Sequence, residues 1–132
     1  MARLINYGPG EASDRLTILT LKILVGTEKG LNVQHFQTEQ TALLQQIRSR
    51  TLNGAWFEQV LELAAVNGQL WQAEDELRSH RERGRQHRDY IEGVQGDVVI
   101  LAFRIQSLND RRAELVQQIN RDVGETSGME KI

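Results

Sequence analysis

Apolar positions recur along this chain at helical spacing, in four stretches separated by glycines. The first runs from Glu11 to Val25. Its apolar residues Leu16, Ile18, Leu19, Leu21, Ile23, Leu24 and Val25 point nearly all round the helix, so it must be covered on more than one side. Glu11 and Asp14 fall in its first turn, where negative charge complements the helix dipole. The second stretch, Leu31 to Arg50, has a narrower stripe of Phe36, Leu43, Leu44 and Ile47 and reads as more peripheral.

The third and fourth stretches are longer. Helix three is expected from Trp56 to Arg83, with a heptad seam of Val60, Leu63, Asn67, Leu70, Glu74, Leu77 and Arg81. Helix four is expected from Asp89 to Val123, with a seam of Val94, Val98, Leu101, Ile105, Leu108, Arg112, Leu115 and Ile119. Val98–Phe103 (VVILAF) also fits a buried strand, but the seam continues on both sides and favours helix, with Gly93 and Gly96 weakening its first turns. The single proline, Pro9, precedes all of this, so nothing later breaks a long helix. The fold class is therefore all-α: one helical domain over 1–132, with an N-terminal segment at 1–10 and a flexible tail at 124–132. Helices three and four form a long antiparallel hairpin turning near Gly84. At 1.5 Å per residue the long pair spans about 40–50 Å and the short pair about 22–30 Å, so a second copy of the chain is expected to cover what is left over.

Three polar residues occupy seam positions where apolar ones belong: Asn67, Glu74 and Arg112. Burying an unpaired charge costs several kcal/mol, so these must pair, meet water or line a site. Glu74 and Arg112 are expected to be buried within reach of one another or of a shared neighbour, and Asp75 or Asp110 to pair with Arg78 or Arg111. Glu74 lies ten residues before Gly84 and Arg112 twenty-eight after it. A symmetric hairpin does not align them. The pairing needs helix four to start late, or helix one or a partner subunit to intervene. Two roles compete: a network that fixes the register of the hairpin, and a polar pocket in which carboxylates and arginines take a metal or a phosphate.

Composition changes this picture little. Hydrophobic residues at 39% and charged residues at 26% are ordinary for a folded protein of 132 residues. The absence of cysteine excludes disulfides, a thiol nucleophile and thiolate metal sites. No apolar region of signal-peptide type precedes Gly8-Pro9-Gly10, and Leu16–Val25 is too short to cross a membrane, so a cytoplasmic location is expected. The net charge of −2 hides a basic knot. Residues 78–88 carry five arginines against one glutamate, and Arg81, Arg83, Arg85 and Arg88 could bind an anion, though a solvated loop between helices is the plainer reading. The tract lacks interleaved aromatics, which makes nucleic acid a weak candidate. His35 with Glu39 and Glu76 with His80 have chelating spacing that chance also supplies. Gly8-Pro9-Gly10 could cradle an anion but reads more simply as a turn feeding a helix. Both tryptophans fall on apolar faces and read as core. There is no nucleophile–base–acid set, phosphate-loop fingerprint or zinc spacing.

Three segments, GEASDRLTILTLK (10–22), LAAVNGQLWQAEDELR (63–78) and LNDRRAELVQQIN (108–120), resemble a bacterial family, domain of unknown function 6165. The family's pattern maps onto Gly10, Glu11, Asp14, Thr17, Ile18, Lys22, Asn67, Trp71, Glu74, Asp75, Arg78, Asn109, Asp110, Arg112 and Asn120, with Glu130-Lys131 in place of its final pair. The stretch from Gly84 to Asn109 is longer than the pattern. The resemblance implies a shared polar site at Glu11, Asp14, Lys22, Asn67, Glu74, Asp75, Arg78, Asn109, Asp110 and Arg112, and no activity. Two functions follow. The first is a non-enzymatic helical protein acting as a homodimer through its hairpin. The second is a small enzyme or binding protein for a phosphorylated compound. There Glu11, Asp14, Glu74, Asp75 and Asp110 would collect a divalent cation, and Arg78, Arg111 and Arg112 the phosphate.

Overall fold

The computed structural model describes residues 7–87, 90 and 93–131, with side chains as far as Val123. Among the described residues there are four long helices: α1 (Pro9–Glu28), α2 (Gln34–Arg48), α3 (Gly54–Gln86) and α4 (Gln95–Lys131). Among the described residues there is no strand, and Val98–Phe103 is helical throughout.

The ends of these helices follow from local chemistry. Pro9 sits in the first turn of α1, where its missing N–H costs nothing. Gly30, with φ of +70°, ends α1 in a Schellman motif: Leu31 N–H donates to Gly26 O (2.8 Å) and Gly30 N–H to Thr27 O (3.1 Å). Asn32 Oδ1 accepts from Gln34 N–H at 3.0 Å and starts α2. Asn53 caps α3, its side chain accepting from Trp56 N–H at 3.0 Å, which places the start of that helix two residues before Trp56.

The turn near Gly84 is corrected. Gly84 lies inside α3, which stays helical to Gln86, so residues 78–86 of the basic knot are helix rather than loop. One glycine costs a helix interior about 1 kcal/mol, which a helix of 33 residues absorbs. The chain leaves α3 at His87, and α4 begins at Gln95, later than Asp89. Across the connection His80 Nδ1 meets Tyr90 Oη at 2.7 Å.

The most extensive packing is between α3 and α4. Gln59, near the start of α3, donates from Nε2 to Asp122 Oδ2 near the end of α4 at 2.8 Å. Leu63, Val66 and Leu70 of α3 are buried with Leu115, Ile119 and Val123 of α4. A second cluster joins Ala12 and Leu19 of α1 to Leu43 and Ile47 of α2. Leu52 and Trp56 touch both and fuse them into one core.

As its all-round apolarity requires, α1 is covered on three sides, by α2, α3 and α4. The buried side chains of its first half are nonetheless small or polar, Ala12, Ser13, Asp14 and Thr17, whereas Leu24 near its end is 55% exposed. By length α3 and α4 reach about 50 and 55 Å, and α1 about 30 Å. The first half of α1 meets Trp56 and Asn67 of α3 and Arg112, Val116 and Asn120 of α4, and its second half lies beside Trp71 of α3. No helix of the described residues is long and apolar enough to cross a membrane.

Candidate functional site

The first turns of α1 meet α3 and α4 through side chains that are mostly polar. Asp14 is the centre. It is 8% exposed, and its Oδ1 accepts from Asn67 Nδ2 (2.8 Å) and Arg112 Nε (2.9 Å). Its Oδ2 accepts from Arg112 Nη2 (2.6 Å). The two-point contact is the geometry that suits a guanidinium to a carboxylate. Thr17 Oγ1 accepts from Asn67 Nδ2 (2.7 Å) and donates to Asp14 O (2.7 Å). Asn67, buried on the α3 seam, therefore spends its amide on two acceptors of α1. The hydrogen bond to Asp14 raises the pKa of the Arg112 guanidinium above its ordinary value; partial burial opposes this, and attraction to Asp14 and Glu74 adds to it.

One turn earlier α1 is capped from another helix. Its own N-cap, Gly8, has no side chain to offer. Instead Asn120 Oδ1 of α4 accepts from Gly10 N–H (2.7 Å), and Asn120 Nδ2 donates to Glu11 Oε1 (2.9 Å). Gly10 permits the approach: a Cβ there would stand 2.2 Å from Val116 O. Ser13 Oγ donates to Pro9 O (2.7 Å) and accepts from Trp56 Nε1 (3.0 Å), giving that half-buried tryptophan its polar partner.

The junction unites only part of the expected site. Glu11, Asp14, Asn67 and Arg112 come together, joined by Thr17 and Asn120 of the family pattern. Glu74 does not join them. It is exposed, and Arg112 hydrogen-bonds Asp14, so the expected burial of Glu74 is corrected: helix one intervenes, and Glu74 acts on Arg112 by charge attraction alone. Lys22 lies farther along α1, with Nζ 5.3 Å from the Phe36 ring centroid. Asp75 and Arg78 pair at 4.0 Å with both side chains exposed, a contact of little energetic weight. Asn109 and Asp110 are exposed on α4. Arg111 bonds Glu62 across the helix pair and Glu114 on its own helix, not Asp110 or Asp75. Arg81, Arg83 and Arg85 are exposed in the last turns of α3, Arg83 lying over the Tyr90 ring. Arg88 lies outside the described residues, as do the side chains of Glu130 and Lys131.

The expected carboxylate cage does not assemble. Among the described residues no three histidine, aspartate or glutamate side chains converge as metal ligands do. Glu39, considered as a chelating partner of His35, is held by Arg15 (2.7 and 2.9 Å). That hydrogen bond keeps its carboxyl pKa below the usual range, against the opposing effect of burial. Ser13, Glu39 with Arg15, and Gln59 with Asp122 had no signal in the seam pattern, because each pairs across helices distant in sequence. No family model, curated protein or solved structure matches the chain.

Proposed function

We propose that this protein is a non-enzymatic helical interaction protein that works as a homodimer through a long α3–α4 hairpin. One observation carries the reading: the polar junction spends its groups internally, while α4 carries large apolar side chains in solvent. Asp14, Asn67, Thr17 and Arg112 satisfy one another, which suits a lock between helices better than a site awaiting substrate. On α4, Val99, Ile100 and Phe103 are 47%, 65% and 68% exposed and share one side of the helix. A second copy would bury them. Membership of the family of unknown function 6165 belongs to the same proposal. What supports it is the convergence of Gly10, Glu11, Asp14, Thr17, Asn67, Arg112 and Asn120, drawn from all three resembling segments, at one junction.

Sedimentation equilibrium at micromolar concentration tests the dimer. The chain is expected near twice its 15.1 kDa mass, and Ile100→Glu with Phe103→Glu is expected to return it to the monomer with its helix content intact. A native chain that sediments as a 15.1 kDa monomer overturns the proposal.

A further inference from the structure

Away from the junction, the second half of α1, the α1–α2 turn, the first turn of α2 and Trp71 of α3 line an open cleft of about 540 Å³. This lies in the range of about 300–1,000 Å³ usual for small-molecule sites. Its surface is mainly apolar, supplied by Val33, Phe36 and Trp71, and Trp71 is half-buried there rather than sunk in the core. Its charged and titratable lining residues are Lys22, Lys29 and His35, and none of the lining residues is acidic. In a chain of net charge −2 such a surplus does not follow from composition. On α2 the Glu39 carboxylate attracts Lys22 and His35 by charge, but its hydrogen bonds go to Arg15. The start of α2 adds partial positive charge of the same sign.

We propose that this cleft binds a small organic anion with an apolar body, of the class of medium-chain carboxylates. The apolar part lies against Phe36 and Trp71, and the carboxylate meets Lys22 and Lys29. An apolar wall alone would accept any greasy molecule; the cations select the sign of its head group. The proposal is independent of dimerisation, because the cleft lies on α1, α2 and Trp71, away from Val99–Phe103.

Titration of the ¹⁵N-labelled chain with sodium decanoate below its micellar concentration tests this. Saturable shifts are expected at the Trp71 indole N–H and the Gly26 amide, with the Trp56 indole, bonded to Ser13, as the unmoved reference. Decyltrimethylammonium is expected to bind at least about tenfold more weakly, and Lys22→Glu with Lys29→Glu to reverse that preference at unchanged melting temperature. The comparison of the two probes on the native chain needs no variant, so a misfolded variant leaves the test intact. Equal binding of both probes overturns the proposal, as do shifts spread over Phe57, Leu61 and Val99–Phe103. An unmoved Trp71 in a chain that co-floats with vesicles of phosphatidylcholine and phosphatidylglycerol overturns it too, and assigns the lysines to a membrane surface.

Discussion

The two ends of the α3–α4 pair obey different rules. Where α1 covers it, polar residues are buried and paired: Asn67 at 4% exposure, Asp14 at 8%, and Arg112 closing on Asp14 from α4. Farther along, polar seam residues such as Glu74 stay in solvent, and apolar residues such as Ile100 and Phe103 are exposed, as Phe57 and Leu61 are at the start of α3. The same heptad logic runs through both ends. A polar seam residue is buried where another helix brings it a partner, so a seam position says where a side chain points and not what it meets.

Substitutions can break this contrast. The largest effect is expected at the covered end. Asp14→Leu strands Arg112 and leaves Asn67 with Thr17 alone, at a cost of about 3 kcal/mol, toward the low end for a buried pair because the Arg112 side chain is 35% exposed. Urea denaturation measures it, and the double variant with Arg112→Leu should recover much of the loss. If the two single effects merely add, the pair is not coupled. Gly10→Ala forces a Cβ against the Val116 carbonyl and should cost about 2 kcal/mol by overpacking, read as a lower melting temperature. Asn120→Ala, which removes the borrowed cap, should cost about 1 kcal/mol. At the uncovered end Glu74→Leu should change stability by less than about 0.5 kcal/mol; a larger loss would mean that this end is not open.

The smallest effect concerns pH. Because the Glu39 carboxyl titrates below its ordinary range, the folded protein takes up that proton less readily than the unfolded chain. Its contribution is present above the unfolded value near 4.5 and fades as pH falls through the lower folded value. Stability curves of the native chain and Glu39→Gln should therefore converge in acid. Curves that stay parallel would remove the role of the Arg15 pair.

Much of this architecture was legible in the amino-acid order. Helical spacing located all four helices and resolved Val98–Phe103 correctly, because a seam repeated over many turns outweighs local β propensity. The same spacing marked Asn67 and Arg112 as anomalous. It misplaced the turn, because Gly84 looks like punctuation and only packing tells a tolerated glycine from a terminal one. It also paired Arg112 with the wrong acid. The seam pattern gave Asp14 only a place in a first helical turn, which the structure gives to Glu11 alone because α1 starts at Pro9; that Asp14 and Arg112 share a site was implied by the family resemblance. Periodicity ranks positions within one helix and carries nothing about which residue of another helix, about a hundred positions away, will arrive opposite.

That separation bears on the order of events during synthesis. The amide of Gly10 finds its acceptor on Asn120, and Asp14 its cation on Arg112, so the start of α1 is completed by residues made 110 and 98 positions later. At translation speeds of about 5–20 residues per second, the first helix waits roughly 5–20 s for them. Until then α1 has α2 and α3 to lean on, and Asn67 of α3 already holds Asp14 and Thr17. The contacts of α1 with α2 and α3, such as Arg15 with Glu39, are no farther apart in sequence than those of α3 with α4, such as Gln59 with Asp122, so the first three helices can associate before the fourth is complete. Helix α4 then docks last, and the polar junction becomes a checkpoint that registers whether the far end of the chain has arrived.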